Sequence, residues 1–173
     1  MLHTTLQNAL PKSQSPANED TLSSLADELI SHFSTGKPWT AAPGAVNLLQ
    51  ALKKRPEPPV LGVLSNFDPR LHEILQLTLL KPYLDFVLTS HEQQCGKPNV
   101  QFFRKAEKTS GLENLVGSHC LHIGNNYELD YVGATNAGWN AVFIKQGGQK
   151  KEEHILTFDS LSALHSYLAE QGE

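Results

Sequence analysis

A chain of 173 residues, 39% hydrophobic and 18% charged, suits one domain that buries about two-thirds of its unfolded surface. Its net charge of −4 gives no electrostatic case for nucleic acid or for an anionic membrane surface. No apolar run approaches the roughly 20 residues of a membrane helix.

The first stretch, MLHTTLQNALPKSQSPANED, lacks the basic start and apolar core of a secretory signal. Residues 1–19 are polar and marked by Pro and Ser, which predicts a loose arm. Thr21 to Phe33 places Leu22, Leu25, Leu29 and Phe33 at helical spacing, and an amphipathic helix is predicted there. Pro43-Gly44 opens a second helix through AVNLLQALKK, with Lys53, Lys54 and Arg55 favouring its C-terminal end. The proline-rich RPEPP stops it.

From there the chain alternates. Val60–Ser65 is a nearly continuous apolar run, as expected of a strand buried on both faces. A helix follows over Pro69–Leu80, then a strand at Phe86–Thr89 and a helix over Asn99–Ser110. Cys120–Ile123 is a third strand and Glu128–Asn136 a third helix of this series, closed by Ala137-Gly138. Ala141–Ile144 is a fourth strand, and Leu161–Ala169 a terminal helix. This order predicts an α/β fold, a three-layer, Rossmann-like, doubly wound parallel sheet. Cys95 and Cys120 make no disulfide framework, which with the missing signal points to an intracellular setting, cytoplasm or nucleus. His119 and His122, three apart on a predicted strand, face opposite sides and cannot share a metal.

Ligands of open parallel sheets bind beyond the carboxyl ends of the strands. Three groups collect there. Ser65-Asn66 ends the first strand, and the Ser65 hydroxyl can hydrogen-bond an oxyanion. Asp68 before Pro69 reads as a helix cap. Cys95-Gly96-Lys97-Pro98 combines a tight turn, a helix start at Pro98, and a lysine able to neutralise a phosphate or an anionic nucleophile. GNNYELD places Asn125 at a strand edge and Asp130 one turn into a helix.

Over residues 39–145 the order of these groups, in LGVLSNFDPRL, FVLTSHEQQCGKPN and HIGNNYELDYVGA, resembles the haloacid dehalogenase-like hydrolase superfamily. Trp39 and Pro43-Gly44-Ala45 fit the return from that family's helical cap. The resemblance implies a loose arm at 1–19, a cap remnant at 20–42 and an α/β core at 43–173. It also implies site roles. Ser65 would hold a phosphoryl oxygen with Asn66 beside it, and Lys97 would balance charge around the nucleophile. Asn125 and Asp130 would occupy the two acidic positions that help hold Mg²⁺.

The family's reaction starts from an aspartate on a strand ending in Asp-x-Asp-x-Thr, which forms an aspartyl ester, with a second aspartate as general acid and base. No such motif occurs in the sequence, as if the chain started partway through the cap. Asn125 also replaces a metal-ligating carboxylate, and a neutral amide is a poorer ligand for hard Mg²⁺. The expectation is therefore a catalytically inactive pseudoenzyme, with Lys97 vestigial and metal binding weak or lost. The alternatives are a non-catalytic binding or regulatory module and a fragment of a Mg²⁺-dependent phosphatase. A small phosphorylated ligand is the expected partner. In the family's sheet the nucleophile strand lies between the Ser65 and Cys120 strands, so its absence leaves two apolar edges. Either they pair directly, a protein partner supplies the strand, or the isolated chain is poorly stable.

Overall fold

The computed structural model describes residues 19–34, 39–145, 147 and 154–170. Apart from residue 19, the predicted arm lies outside them. The described residues fall into two compact units that divide between Thr40 and Ala41.

In the first unit, α1 spans Glu19–Ser34. Its buried positions are Leu22 and Ala26, whereas Leu25 and Phe33 of the predicted stripe are exposed. The small side chain of Ala26, one turn after Leu22, continues the buried stripe that the larger Leu25 was expected to supply. Trp39 Nε1 donates to the Phe33 carbonyl at 2.9 Å, and the two rings meet edge to face.

The second unit opens with α2, Ala45–Lys53, whose N-cap is Gly44 at φ +83°. A side chain there would be strained and would meet the Ser162 backbone nitrogen at 2.7 Å. The strands are β1 (Gly62–Ser65), β2 (Phe86–Thr89), β3 (Leu121–Gly124), β4 (Asn140–Ile144) and β5 (Thr157–Phe158). β5 is two residues long, too short to leave a periodic signal, and it was not anticipated. Between them lie α3 (Leu71–Leu77), α4 (Ser90–Gln93), α5 (Val100–Thr109) and α6 (Gly133–Asn136). The chain's last described helix is α7 (Leu161–Glu170).

Two helix starts differ from expectation. Pro98 does not begin α5: the Lys97–Pro98 peptide is cis, and Asn99 caps the helix by accepting from Gln101 N. Asp68 accepts the Arg70 N–H at 3.0 Å in the turn before α3, so the proline-led turn precedes the helix rather than forming its first residues.

All strand pairs are parallel, but the sheet is in two pieces. β1 pairs with β2, from Gly62↔Phe86 to Ser65↔Thr89. Separately, β3 pairs with β4 and β4 with β5. Among the described residues no ladder joins β1 to β3. Of the outcomes weighed for a sheet without its central strand, direct pairing of these two edges is not the one adopted.

Helices cover both faces of the sheet. On one, Leu64 and Leu88 pack with Phe102, Phe103 and Ala106 of α5 and with Ala134. On the other, Val142 packs with Leu48 of α2 and Leu164 of α7. Adjacent residues divide between the faces as a pleat requires: His122 meets Phe103, whereas Ile123 joins the Leu48 cluster. Phe102 and Phe103 are fully buried, worth roughly 1.5–3 kcal/mol each relative to exposure.

Thr89, fully buried, ends β2 and starts α4. Its Oγ1 accepts from Glu92 N at 3.2 Å and donates to Glu92 Oε2 at 2.6 Å, an N-cap whose buried hydroxyl is satisfied as both acceptor and donor. Thr89→Val is expected to lower stability by about 1 kcal/mol, read as a fall in the urea midpoint. An unchanged midpoint would refute the cap's contribution.

Candidate active site

Three of the groups singled out in the sequence converge at the carboxyl ends of β1 and β3. Asn66 follows β1 and clamps the Lys97 backbone from both sides. Its Nδ2 donates to the Lys97 carbonyl at 2.7 Å, and its Oδ1 accepts from Lys97 N at 2.7 Å. Gly96 makes room for that clamp, since a Cβ there would lie 2.6 Å from Asn66 Oδ1. Asn66 therefore acts first on the loop that carries Lys97.

The lysine reaches across to the third group. Lys97 Nζ donates to Asp130 Oδ1 at 2.6 Å, with side chains only 11% and 8% exposed. His122 Nε2 lies 3.0 Å from the same oxygen, and because an ionised carboxylate only accepts, that nitrogen carries the proton. Asp130 Oδ2 accepts the backbone N–H groups of Asn125 at 3.0 Å and Asn126 at 2.8 Å. Four donors thus hold one carboxylate. Burial alone would raise the Asp130 pKa, but hydrogen bonds from His122, Lys97 and the Asn126 amide, with the charge of Lys97, outweigh it and hold the group far below the usual carboxylate range.

Local backbone makes this possible. Residues Tyr127–Val132 form a π-helical turn where an ordinary α-helix was predicted from Glu128. Such turns recur at functional sites. Asn126 caps it by accepting from Leu129 N at 2.9 Å, and Asp130 folds back over Gly124. Any side chain at Gly124 would overlap the Asp130 carboxylate. Gly124→Ala is expected to cost about 1–3 kcal/mol by overpacking and to loosen Asp130 from the Asn125 and Asn126 amides. Faster hydrogen exchange at those two amides would register it, and unaltered exchange would contradict the packing argument.

Ser65, at the end of β1, makes no side-chain hydrogen bond among the described residues. Asn125 is exposed, and its side chain is equally unengaged. His122 is the site residue that sequence reasoning missed. It was weighed only as a metal ligand, and nothing in its spacing from Asp130 signals that strand and turn bring them together. His119 lies outside β3, in a short 3₁₀ turn, Gly117–His119.

The residues present do not fit the family's Mg²⁺. Both Asp130 oxygens are already engaged, the neighbouring position is the neutral Asn125, and among the described residues no group of three His, Cys, Asp or Glu could hold a metal. An octahedral hard cation needs charged oxygens free to turn toward it.

The parallel strands with helices on both faces define a Rossmann-like α/β class, with a lysine–carboxylate pair at the strand ends. The chain belongs to the haloacid dehalogenase-like hydrolase family, whose sequence profile matches residues 4–138. It is 38% identical over 164 residues to the Rhythmically expressed gene 2 protein of Drosophila melanogaster, covering 88% of this chain and 62% of that protein. It is 33% identical over 148 residues to the haloacid dehalogenase-like hydrolase domain-containing protein 3 of Xenopus laevis, covering 80% and 57%. The chain thus spans about 60% of the length of these relatives. The magnesium-bound HAD-hydrolase YfnB from Bacillus subtilis superposes with a TM-score of 0.76 over 96% of this chain and 71% of its own, at 16% identity, a likeness of fold. No described helix is long and apolar enough to cross a membrane.

Proposed function

We propose that this chain is a non-hydrolysing member of its family, which keeps part of the phosphate cradle at Ser65, Asn66 and Lys97 and has given up metal-dependent catalysis. One observation carries the reading: Asp130 is spent on Lys97, His122 and two backbone amides, while Asn125 stands at the other expected carboxylate position. The reading assigns the protein to binding a small phosphorylated ligand in an intracellular compartment.

The test is direct. With the purified chain, calorimetric titration of Mg²⁺ is expected to give no saturable heat, and aryl phosphate with Mg²⁺ no turnover above the buffer blank. Inorganic phosphate is expected to perturb the Ser65 and Lys97 resonances. Turnover that vanishes on Lys97→Ala would overturn the proposal.

A second reading is favoured by the partial span of the relatives: the sequence belongs to a longer phosphatase. The intact mass of the endogenous protein separates the two. A species at 19.1 kDa supports the non-hydrolysing reading, and a species heavier by several kilodaltons supports the longer enzyme.

A further inference from the structure

Asp130 carries more donors than a lysine–carboxylate pair requires. Lys97 Nζ and His122 Nε2 both donate to Oδ1, at 2.6 and 3.0 Å, and the Asn125 and Asn126 amides donate to Oδ2. An ionised carboxylate has about four lone-pair positions, so this one is full. Three of the four donors are fixed. The two amides lead into the turn that Asn126 caps. His122 belongs to β3, in register with Ala141, and its buried ring lies edge to face with Phe103 of α5 at 5.5 Å between centroids.

Lys97 is held differently. Asn66 pins its backbone at both the amide and the carbonyl, and beyond that anchor runs a flexible four-carbon stem. Among the described residues its ammonium bonds only Asp130. A cation that leaves a buried carboxylate ordinarily strands it, and an uncompensated buried charge is costly. Here departure of Lys97 leaves three donors in place, one of them His122 on the very oxygen the ammonium vacates.

We infer that His122 is the positioning residue that makes Lys97 releasable: by keeping Asp130 Oδ1 hydrogen-bonded, it lets the ammonium swing from Asp130 to a phosphate while the carboxylate stays in place. His122 acts through Asp130 and not by touching the ligand. The Lys97–Asp130 pair is then the resting state of the cradle, and only a side chain has to move, because Asn66 fixes the loop. The identity of the ligand rests on the phosphate-binding reading above; the release of Lys97 from Asp130 does not, and the two are tested by different measurements.

Two variants of the full chain separate this role from a scaffolding one. His122→Phe removes the donor and keeps a ring against Phe103; His122→Gln restores an N–H on a side chain of similar reach. His122→Leu replaces the first if that variant does not fold. Lysines are labelled with a limiting dose of acetic anhydride, and the rate at Lys97 is read by mass spectrometry against Lys108 as internal reference. Labelling of Lys97 is expected to slow by about fivefold or more in His122→Phe, the factor one net hydrogen bond supplies, and to recover in His122→Gln. A histidine that only braces the fold predicts the opposite sign, a loosened and faster-labelled Lys97. A faster or unchanged rate in His122→Phe would overturn the proposal, as would a rate in His122→Gln as slow as that of His122→Phe. Inorganic phosphate is then titrated into all three proteins by NMR. Its Kd is expected to weaken about tenfold in His122→Phe, the least that a hydrogen bond to a charged group supplies, and to recover in His122→Gln. Equal affinity in wild type and His122→Phe would overturn the proposal. If wild type binds no phosphate, the functional reading falls, and the labelling rates decide the role of His122 by themselves.

Discussion

Asp130→Asn is expected to cost about 3–5 kcal/mol of folding stability, the loss typical when one partner of a buried ion pair is removed. The substitution keeps the size of the side chain, so packing contributes little. What changes is that Lys97, 11% exposed, keeps its charge with no counter-ion, and that the amide must present an NH₂ group to at least one of four donors. Native domains have only about 5–15 kcal/mol in hand, so the effect is readily seen as a fall in the urea midpoint. Lys97→Met is expected to destabilise as well. The double variant is expected to lose less than the sum, with a coupling of roughly 0.5–3 kcal/mol. Strict additivity would show that the two groups do not interact.

The same pair sets the acid limb of stability. The Asp130 pKa is depressed in the folded protein below its ordinary 3.8. Its contribution is therefore fully present above about pH 4 and is lost as the pH falls toward the folded value. Wild-type stability is expected to decline more steeply below about pH 4 than that of Asp130→Asn. Parallel pH profiles for the two proteins would contradict this sign.

Phe103→Ala is expected to cost about 3–5 kcal/mol, the usual range for truncating a buried aromatic. The side chain has no exposure and lies edge to face with His122 at 5.5 Å and Trp139 at 5.4 Å. It also packs close to Gly133, where an added Cβ would meet it at 3.2 Å. Because it touches His122, its loss is expected to reach the site: the Lys97–Asp130 coupling should weaken in this background. Phe103→Leu, which fills more of the space, is expected to recover part of the stability. If alanine costs no more than leucine, the site collapses freely and the helix does not brace the two halves of the sheet.

Much of this protein was legible in the sequence because it depends on local order. Continuous apolar runs marked the four longer strands to within two residues, since a strand covered on both faces has no room for polar side chains. Phe102, Phe103 and Ala106 were correctly placed inward from helical spacing. The strings Ser65-Asn66, Gly96-Lys97 and Gly124 to Asp130 named Asn66, Lys97 and Asp130, which the structure joins by hydrogen bonds.

The rest was decided by contacts between distant residues, which no spacing encodes. The sequence could name Lys97 and Asp130 as separate candidates, but not their direct pairing over 33 positions, nor that His122 and two backbone amides would take up the remaining acceptor sites. It did not reveal the clamp of Asn66 on the Lys97 backbone. It raised the missing strand as a question with several outcomes. Only the tertiary structure showed that no ladder joins β1 to β3 among the described residues, while Phe103 of α5 lies with Leu64 of β1 and against His122 of β3. Local propensity specifies a segment's conformation, whereas the groups that share a buried charge or leave an edge unpaired are fixed by the whole fold, where the cost of an unsatisfied group first exists.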